Sequence, residues 1–265
     1  SPNNNKEIKY HYFKISHLSF QKMEEKTIQI IVAPDGCENA KGICVVFDVL
    51  RASSVEVHLH MVGAKKVFPQ ESIEETLKMK QNDKNVIWLG ERDGDIISGC
   101  DFGNSPSEIL ANADKIKDKI CYHNTTAGTQ AFNEVLKNKN VKEVLVSSPN
   151  NLKATEKYLR KFIGKENICL VAAGTISYCL EDFLVCEYLK SILLNEKPKM
   201  TMDEIIKKVK KSTGAKFFKN ISYYPEIDFE LCFKMNIFDK ILKLENGETV
   251  KYEIGRAHVW TPVTR

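Results

Sequence analysis

Asp48 and Arg51, an acid and a base three positions apart, stand where the apolar run Ile43-Cys44-Val45-Val46-Phe47 ends. Ser53 and Ser54 follow, and Val55 to Met61 then carries the spacing of an amphipathic helix. A carboxylate so placed can hold a divalent cation, and a guanidinium can grip an anion through paired N–H bonds. The same two residues could equally cap a turn and pair with each other, so this stretch alone leaves both readings open. Glu91-Arg92 repeats the acid–arginine pairing inside Gly90 to Ser107, a segment with four glycines and five charged residues and no evident regular structure. Connections of that length are functional or disordered. Phe102, Pro106 and the cap-like exit Asn104-Ser105-Pro106-Ser107 favour an ordered site loop. A third segment, His123 to Thr129, sets threonines and Gly128 ahead of a helix, where backbone N–H groups attract anions. His123 is a candidate general base. Asp101 and Asp182 add two more acids, and Asp48, Glu91, Asp101 and Asp182 could converge on one sheet edge. Oxygen donors with few histidines suit Mg²⁺ rather than zinc.

Positioning these residues requires strands that end near one another. Short apolar runs at Thr27 to Val32, Ile43 to Phe47, Lys66 to Pro69, Val86 to Leu89, Ile120 to Tyr122, Val144 to Val146 and Ile168 to Ala173 alternate with helical patterns. That alternation predicts βαβ units with right-handed crossovers. Ser72 to Glu75 and Thr201 to Glu204 read as capping boxes, and Asn246-Gly247 as a hairpin turn between two terminal strands. The expected fold class is α/β, a three-layer α/β/α protein with a mixed sheet, its division into two similar α/β halves left open. Residues 1–26 are expected to form a flexible N-terminal extension, and 27–253 the α/β/α domain, whole or as two subdomains. Residues 254–265 resemble a translated sequencing adapter and are set aside as an artefact.

The bulk numbers are those of an ordinary globular chain: 265 residues, 43% hydrophobic, 28% charged, net charge +4. Lysines are dispersed rather than striped, so no nucleic-acid partner is expected. The eight cysteines form no C-x-x-C pair, which argues against zinc and for free thiols in a reducing, cytoplasmic setting. No membrane association is expected. No Gly-x-Gly-x-x-Gly or Walker sequence follows a strand. A haloacid-dehalogenase-type site wants Asp-x-Asp, but Leu50 stands two after Asp48. No cysteine is followed six residues later by arginine, as a cysteine phosphatase requires.

The segments Phe47-Asp48-Val49-Leu50-Arg51-Ala52-Ser53, Gly90-Glu91-Arg92, Asp101-Phe102-Gly103-Asn104-Ser105-Pro106 and Thr125-Thr126-Ala127-Gly128-Thr129 resemble the 2-phosphosulfolactate phosphatase family. Leu180-Glu181-Asp182 and Asp228-Phe229-Glu230-Leu231-Cys232 extend the resemblance, in order, across roughly Thr27 to Thr249. It implies an α/β/α phosphoric monoester hydrolase that uses Mg²⁺ and a small anionic phosphorylated substrate. The implied reaction releases phosphate and sulfolactate from 2-phosphosulfolactate on the route to coenzyme M. Matched to this sequence, the catalytic set is Asp48, Arg51, Glu91 and Arg92. Asn104, Ser105, Thr125, Thr126, Gly128 and Thr129 would bind substrate, and Asp48, Glu91, Asp101 and Asp182 the metal. A non-catalytic small-anion binding protein retaining the fold is the alternative. Phe217 to Tyr224 suits core packing or a homodimer contact.

Overall fold

The computed structural model describes residues 26–93, 95–174 and 177–255, so the N-terminal extension, Thr175, Ile176 and the tail beyond Gly255 lie outside the described residues. The alternating runs form strands β1 (Ile28–Val32), β2 (Gly42–Phe47), β3 (Lys66–Gln70), β4 (Ile87–Arg92) and β5 (Asp95–Ile96). They continue as β6 (Ile120–Asn124), β7 (Val141–Ser147), β8 (Ile168–Ala172), β9 (Ile241–Glu245) and β10 (Glu248–Tyr252). The helices are α1 (Ala52–Met61), α2 (Ile73–Asn82), α3 (Pro106–Ala111), α4 (Ala113–Ile116) and α5 (Ala127–Leu136). The remaining four are α6 (Leu152–Leu159), α7 (Leu180–Leu193), α8 (Met202–Lys210) and α9 (Glu226–Phe233).

All ten strands form one mixed sheet in the order β1-β8-β2-β7-β9-β10-β3-β6-β4-β5. β1, β8, β2 and β7 run parallel, and so do β3, β6 and β4. The β9–β10 hairpin joins the two sets, antiparallel to β7 on one side and to β3 on the other. Its turn is the one Asn246-Gly247 predicts, with φ of 51° and 78° at the two central residues. The parallel sets therefore run in opposite senses. At about 20–25° per neighbouring pair, the five steps from β2 to β6 turn the sheet through more than a right angle. That turn lets the carboxyl ends of both sets approach one another.

The sheet is covered on both faces, which is why β2 is buried at every position. Ile43, Val45 and Phe47 pack with Leu159, Val185, Leu189 and Ile205 of α6, α7 and α8. Cys44 and Val46 pack with Val57 of α1 and with Ala131, Phe132 and Val135 of α5. The architecture is three-layer α/β/α. No helix among the described residues is long and apolar enough to cross a membrane. All eight cysteines are free thiols.

Two local expectations change. The segment from Gly90 is not structureless: β4 continues to Arg92, β5 pairs back at Glu91, and Phe102 bridges to Leu89. Gly90 makes this possible, because a Cβ there would lie 2.2 Å from the Asn124 carbonyl oxygen on the neighbouring strand. The Val55 to Met61 stretch is not amphipathic in use either. α1 is buried at every residue from Ala52 to His60, sandwiched between the sheet and α3. Its polar residues are therefore paired inside. Glu56 Oε1 lies 2.7 Å from His123 Nδ1, and Glu56 Oε2 accepts from Thr249 Oγ1 at 2.8 Å. His60 Nε2 lies 3.0 Å from the same Thr249 hydroxyl, and His58 Nδ1 donates to the Ser54 carbonyl at 2.7 Å.

Burial lowers the His60 pKa from 6.5 to about 4, against the opposing pull of Glu56. The unfolded chain thus binds the extra proton between those values, so this contribution is full above pH 6.5 and is lost as pH falls toward 4. We expect about 2–3 kcal/mol of stability to disappear over that window through His60. Denaturant titrations of wild type and His60→Gln should show it as a difference curve that is flat above pH 7. Parallel curves through pH 4 would contradict the assignment.

Candidate active site

Asp48 leaves β2 at the threshold of α1, and the two serines fix its turn. The Asp48 N–H donates to Ser53 Oγ at 2.8 Å, and the Asp48 carbonyl accepts from the Ser53 N–H at 2.8 Å. Ser54 Oγ donates to the Val49 carbonyl at 2.9 Å, and Asp48 Oδ1 accepts from the Ala52 N–H at 3.3 Å. The Leu50–Arg51 peptide between them is cis. Burial pushes the Asp48 carboxyl up to about 6, and the neighbouring Glu91 charge adds to the rise. The Ala52 N–H, His123 and Lys216 pull the other way.

Arg51 does not pair with Asp48. Its Nη1 donates to Asp228 Oδ2 and to the Tyr223 carbonyl, both at 2.8 Å. Asp228 is fully buried on α9, and its Oδ1 accepts from the Ser107 N–H at 2.9 Å. The guanidinium carbon lies 5.5 Å from the Phe217 ring centre and 4.9 Å from that of Tyr224. Acid, carbonyl and two ring faces thus hold the fork in one place. Within the aromatic stretch Phe217 is buried in the core, while Tyr223 is 42% exposed.

Glu91, at the end of β4, accepts from the Thr126 N–H at 2.8 Å and from Thr126 Oγ1 at 3.4 Å. Thr126 therefore caps toward a carboxylate rather than toward an incoming anion. The N–H groups of Ala127, Gly128 and Thr129, the first turn of α5, have no partner within the helix. Gly128 lies against the acid: a Cβ there would sit 3.2 Å from Asp48 Oδ2 and from Ala52 Cβ. Thr125 is buried, and Thr129 Oγ1 donates to its carbonyl, so these two shape the turn.

These elements enclose a cavity of about 590 Å³, walled by Asp48, Arg51, Glu91, Asn104, Thr126 and Lys216 among others. A second cavity of about 580 Å³ shares Arg51, Glu91 and Asn104 with it and extends past Ser105, Ser107 and Tyr223. Ser105 also caps α3, accepting from the Glu108 N–H at 3.3 Å.

Three expected residues are elsewhere. Arg92 follows Glu91 on a strand, so its side chain takes the opposite face, and its Nη2 donates to the Glu71 carbonyl at 2.7 Å. Asp101 lines neither cavity; its Oδ2 accepts from Lys80 Nζ at 2.7 Å and the Trp88 N–H at 2.8 Å. Asp182 is buried behind the wall, where Oδ1 accepts from the Val49 N–H at 2.8 Å and Oδ2 from the Gly174 N–H at 3.2 Å. It staples the chain leaving β2 to the chain leaving β8. Burial pushes Asp182 well above the usual carboxylate range, with the Glu181 and Asp48 charges adding to the rise. Burial likewise brings Glu181 up to about 7. Among the described residues no three His, Cys, Asp or Glu side chains form a ready-made metal cage. His123 is no free base, since both ring nitrogens are engaged, by Glu56 and by Asn104.

Sequence reasoning gave no site role to Glu56 or Lys216, nor to Asp228 and Tyr224, although Asp228 heads a segment of the family resemblance and Tyr224 ends the aromatic stretch. Glu56 left a signal, an acid between valines in a helix otherwise rich in buried types. Lys216 left none, being one lysine among many.

A family model described as 2-phosphosulpholactate phosphatase matches residues 31–247. A probable 2-phosphosulfolactate phosphatase of Clostridium perfringens (strain SM101 / Type A) is 33% identical over 248 residues, covering 86% of this chain and 97% of that protein. One so named from Thermotoga petrophila is 34% identical over 238 residues, covering 83% and 96%. One from Clostridium tetani is 31% identical over 237 residues, covering 83% and 98%. These are phosphatases by name, that is, phosphoric monoester hydrolases acting on small phosphorylated substrates. On a match that spans most of the sheet and every residue lining the first cavity, the chain belongs to the 2-phosphosulpholactate phosphatase family.

Proposed function

We propose that the cavity hydrolyses a phosphoric monoester of a small hydroxy acid, with 2-phosphosulfolactate the leading substrate, and that it does so with Mg²⁺. One observation carries this reading: Asp48 and Glu91 face the same space as Arg51, Lys216 and the first turn of α5. Acid and base walls opposed across a cavity suit a metal and a polyanion held together. The relatives' printed names support the substrate class.

Mg²⁺ commonly takes one or two carboxylates, completing its shell with water and substrate phosphate oxygens. The Asp48–Glu91 pair fits that habit, because the Glu91 charge adds to the cost of ionising Asp48 and a cation between them would relieve it. Asp101 and Asp182 are outside the proposed pair. When bound, Mg²⁺ would draw charge from the phosphoryl oxygens.

The chain's own groups supply the rest. Among the described residues Arg51 spends Nη1 on Asp228 and Tyr223, which leaves Nε and Nη2 to meet an anion. The positive end of α5 faces the same region. Lys216 lies over Tyr224, 4.6 Å from the ring centre, and offers a second cation for a sulfonate or carboxylate. Burial of Asp48 and Arg51 keeps the field between them strong.

Asp48→Asn should lower phosphate release by about 10²–10³-fold with the fold retained; wild-type turnover in that variant would overturn the role. Arg51→Ala alone would strand the buried Asp228 carboxylate, at about 3–5 kcal/mol of stability. The loss of turnover is therefore best read in Arg51→Ala/Asp228→Asn, where melting recovers and phosphate release stays low. Exhaustive chelation should abolish phosphate release from phosphorylated hydroxy acids, and Mg²⁺ should restore it. Glu91→Gln should raise the half-saturating Mg²⁺ concentration by about tenfold or more, and Asp101→Asn should leave it in place. Full turnover after chelation would contradict the metal assignment.

A further inference from the structure

Behind the cavity wall lies a buried polar chain that the proposed chemistry does not use. Asn104 lines both cavities. Its Oδ1 faces His123 Nε2 at 2.8 Å, and His123 Nδ1 faces Glu56 Oε1 at 2.7 Å. Glu56 also accepts from Thr249 Oγ1 at 2.8 Å. His123 and Glu56 are 1% and 2% exposed, so neither reaches solvent or substrate.

A carboxylate and an amide oxygen can only accept hydrogen bonds. Glu56 occupies Nδ1, and the Asn104 Oδ1 facing Nε2 can only accept, so Nε2 carries a hydrogen and donates it to the amide oxygen. This fixes the sense of the amide: Oδ1 is held inward, and the Nδ2 hydrogens are turned away from the ring, toward the cavities. A ring with no hydrogen on Nε2 would reverse it. Glu56 would still claim Nδ1–H, bare Nε2 would accept from Nδ2, and the cavity would meet a carbonyl oxygen that repels anions.

We propose that Glu56 and His123 are positioning residues that hold Asn104 with its amide NH₂ aimed into the cavity, as a donor to the substrate's anionic groups. This rests on the reading of the cavity as a phosphatase site. The donor is preorganised, since its orientation is set before substrate arrives. Glu56 lies on α1 and His123 on β6, so the pair also ties the helix that starts at Asp48 to the strand that ends at the α5 turn.

The test is a double-mutant cycle on the full chain with Mg²⁺, reading kcat/KM and inhibition by inorganic phosphate. Glu56→Gln and Asn104→Ala should each lower kcat/KM by about tenfold or more and weaken phosphate inhibition. Because Glu56 acts through Asn104, Glu56→Gln/Asn104→Ala should be no worse than Asn104→Ala alone. Losses that multiply, or a Glu56→Gln enzyme that folds and works as wild type, would overturn the proposal. Should Glu56→Gln not fold, long-range ¹⁵N spectra of wild type decide independently of any variant. His123 Nε2 should carry a hydrogen at neutral pH, and a bare Nε2 would overturn the assignment. A wild-type enzyme inactive on every phosphorylated hydroxy acid would refute the phosphatase reading instead, leaving the ¹⁵N result to judge Asn104's orientation.

Discussion

The rest of the site depends on one costly act, the burial of the Asp48 carboxylate between the starts of α1 and α5. A lone buried carboxylate would take up a proton rather than stay charged. Here the Ala52 N–H, two helix N-termini and nearby cations offset part of that cost, while Glu91 adds to it. The balance is a carboxyl raised to about 6 in a cavity that Arg51 and Lys216 also line. The topology explains why it is there. α1 leads from β2 to β3 and α5 from β6 to β7, so each helix carries the chain from one parallel set to the other. Both crossovers start at the cavity.

Arg51 imposes the complementary constraint. It is buried, paired with an acid from α9 and enclosed by Phe217 and Tyr224, so the last third of the chain is needed to place a residue from its beginning. Pairing with Asp228 rather than Asp48 keeps the two functional charges from neutralising each other. The cavity therefore retains an acidic wall and a basic wall.

Much of this was legible in the residues. Strand runs such as Ile43 to Phe47 are apolar on both faces because both faces are covered, and Asn246-Gly247 announced its hairpin. Asp48, Arg51, Glu91 and the Thr126–Gly128 turn were found as chemistry at strand ends, and the structure brings them together. Arg92 was misplaced because adjacency in sequence is opposition on a strand. Asp101 and Asp182 were grouped with the others by type, yet hydrogen-bond geometry commits them to Lys80 and Trp88, and to Val49 and Gly174. Glu56 and His60 sit in a run whose spacing read as an amphipathic helix, with no role assigned to either. Only the packing of α1 against the sheet reveals that their partners are Thr249 and His123, far along the chain.

Asp48 and Glu91 holding a divalent ion opposite Arg51 is the central claim, and one diffraction experiment addresses it. Crystals grown with Mn²⁺ in place of Mg²⁺ and with inorganic phosphate should give an anomalous peak between the Asp48 and Glu91 carboxylates. Phosphate should lie between that peak and the Arg51 guanidinium. An anomalous peak at Asp101, or a cavity holding phosphate against Arg51 with no metal at Asp48, would contradict the account.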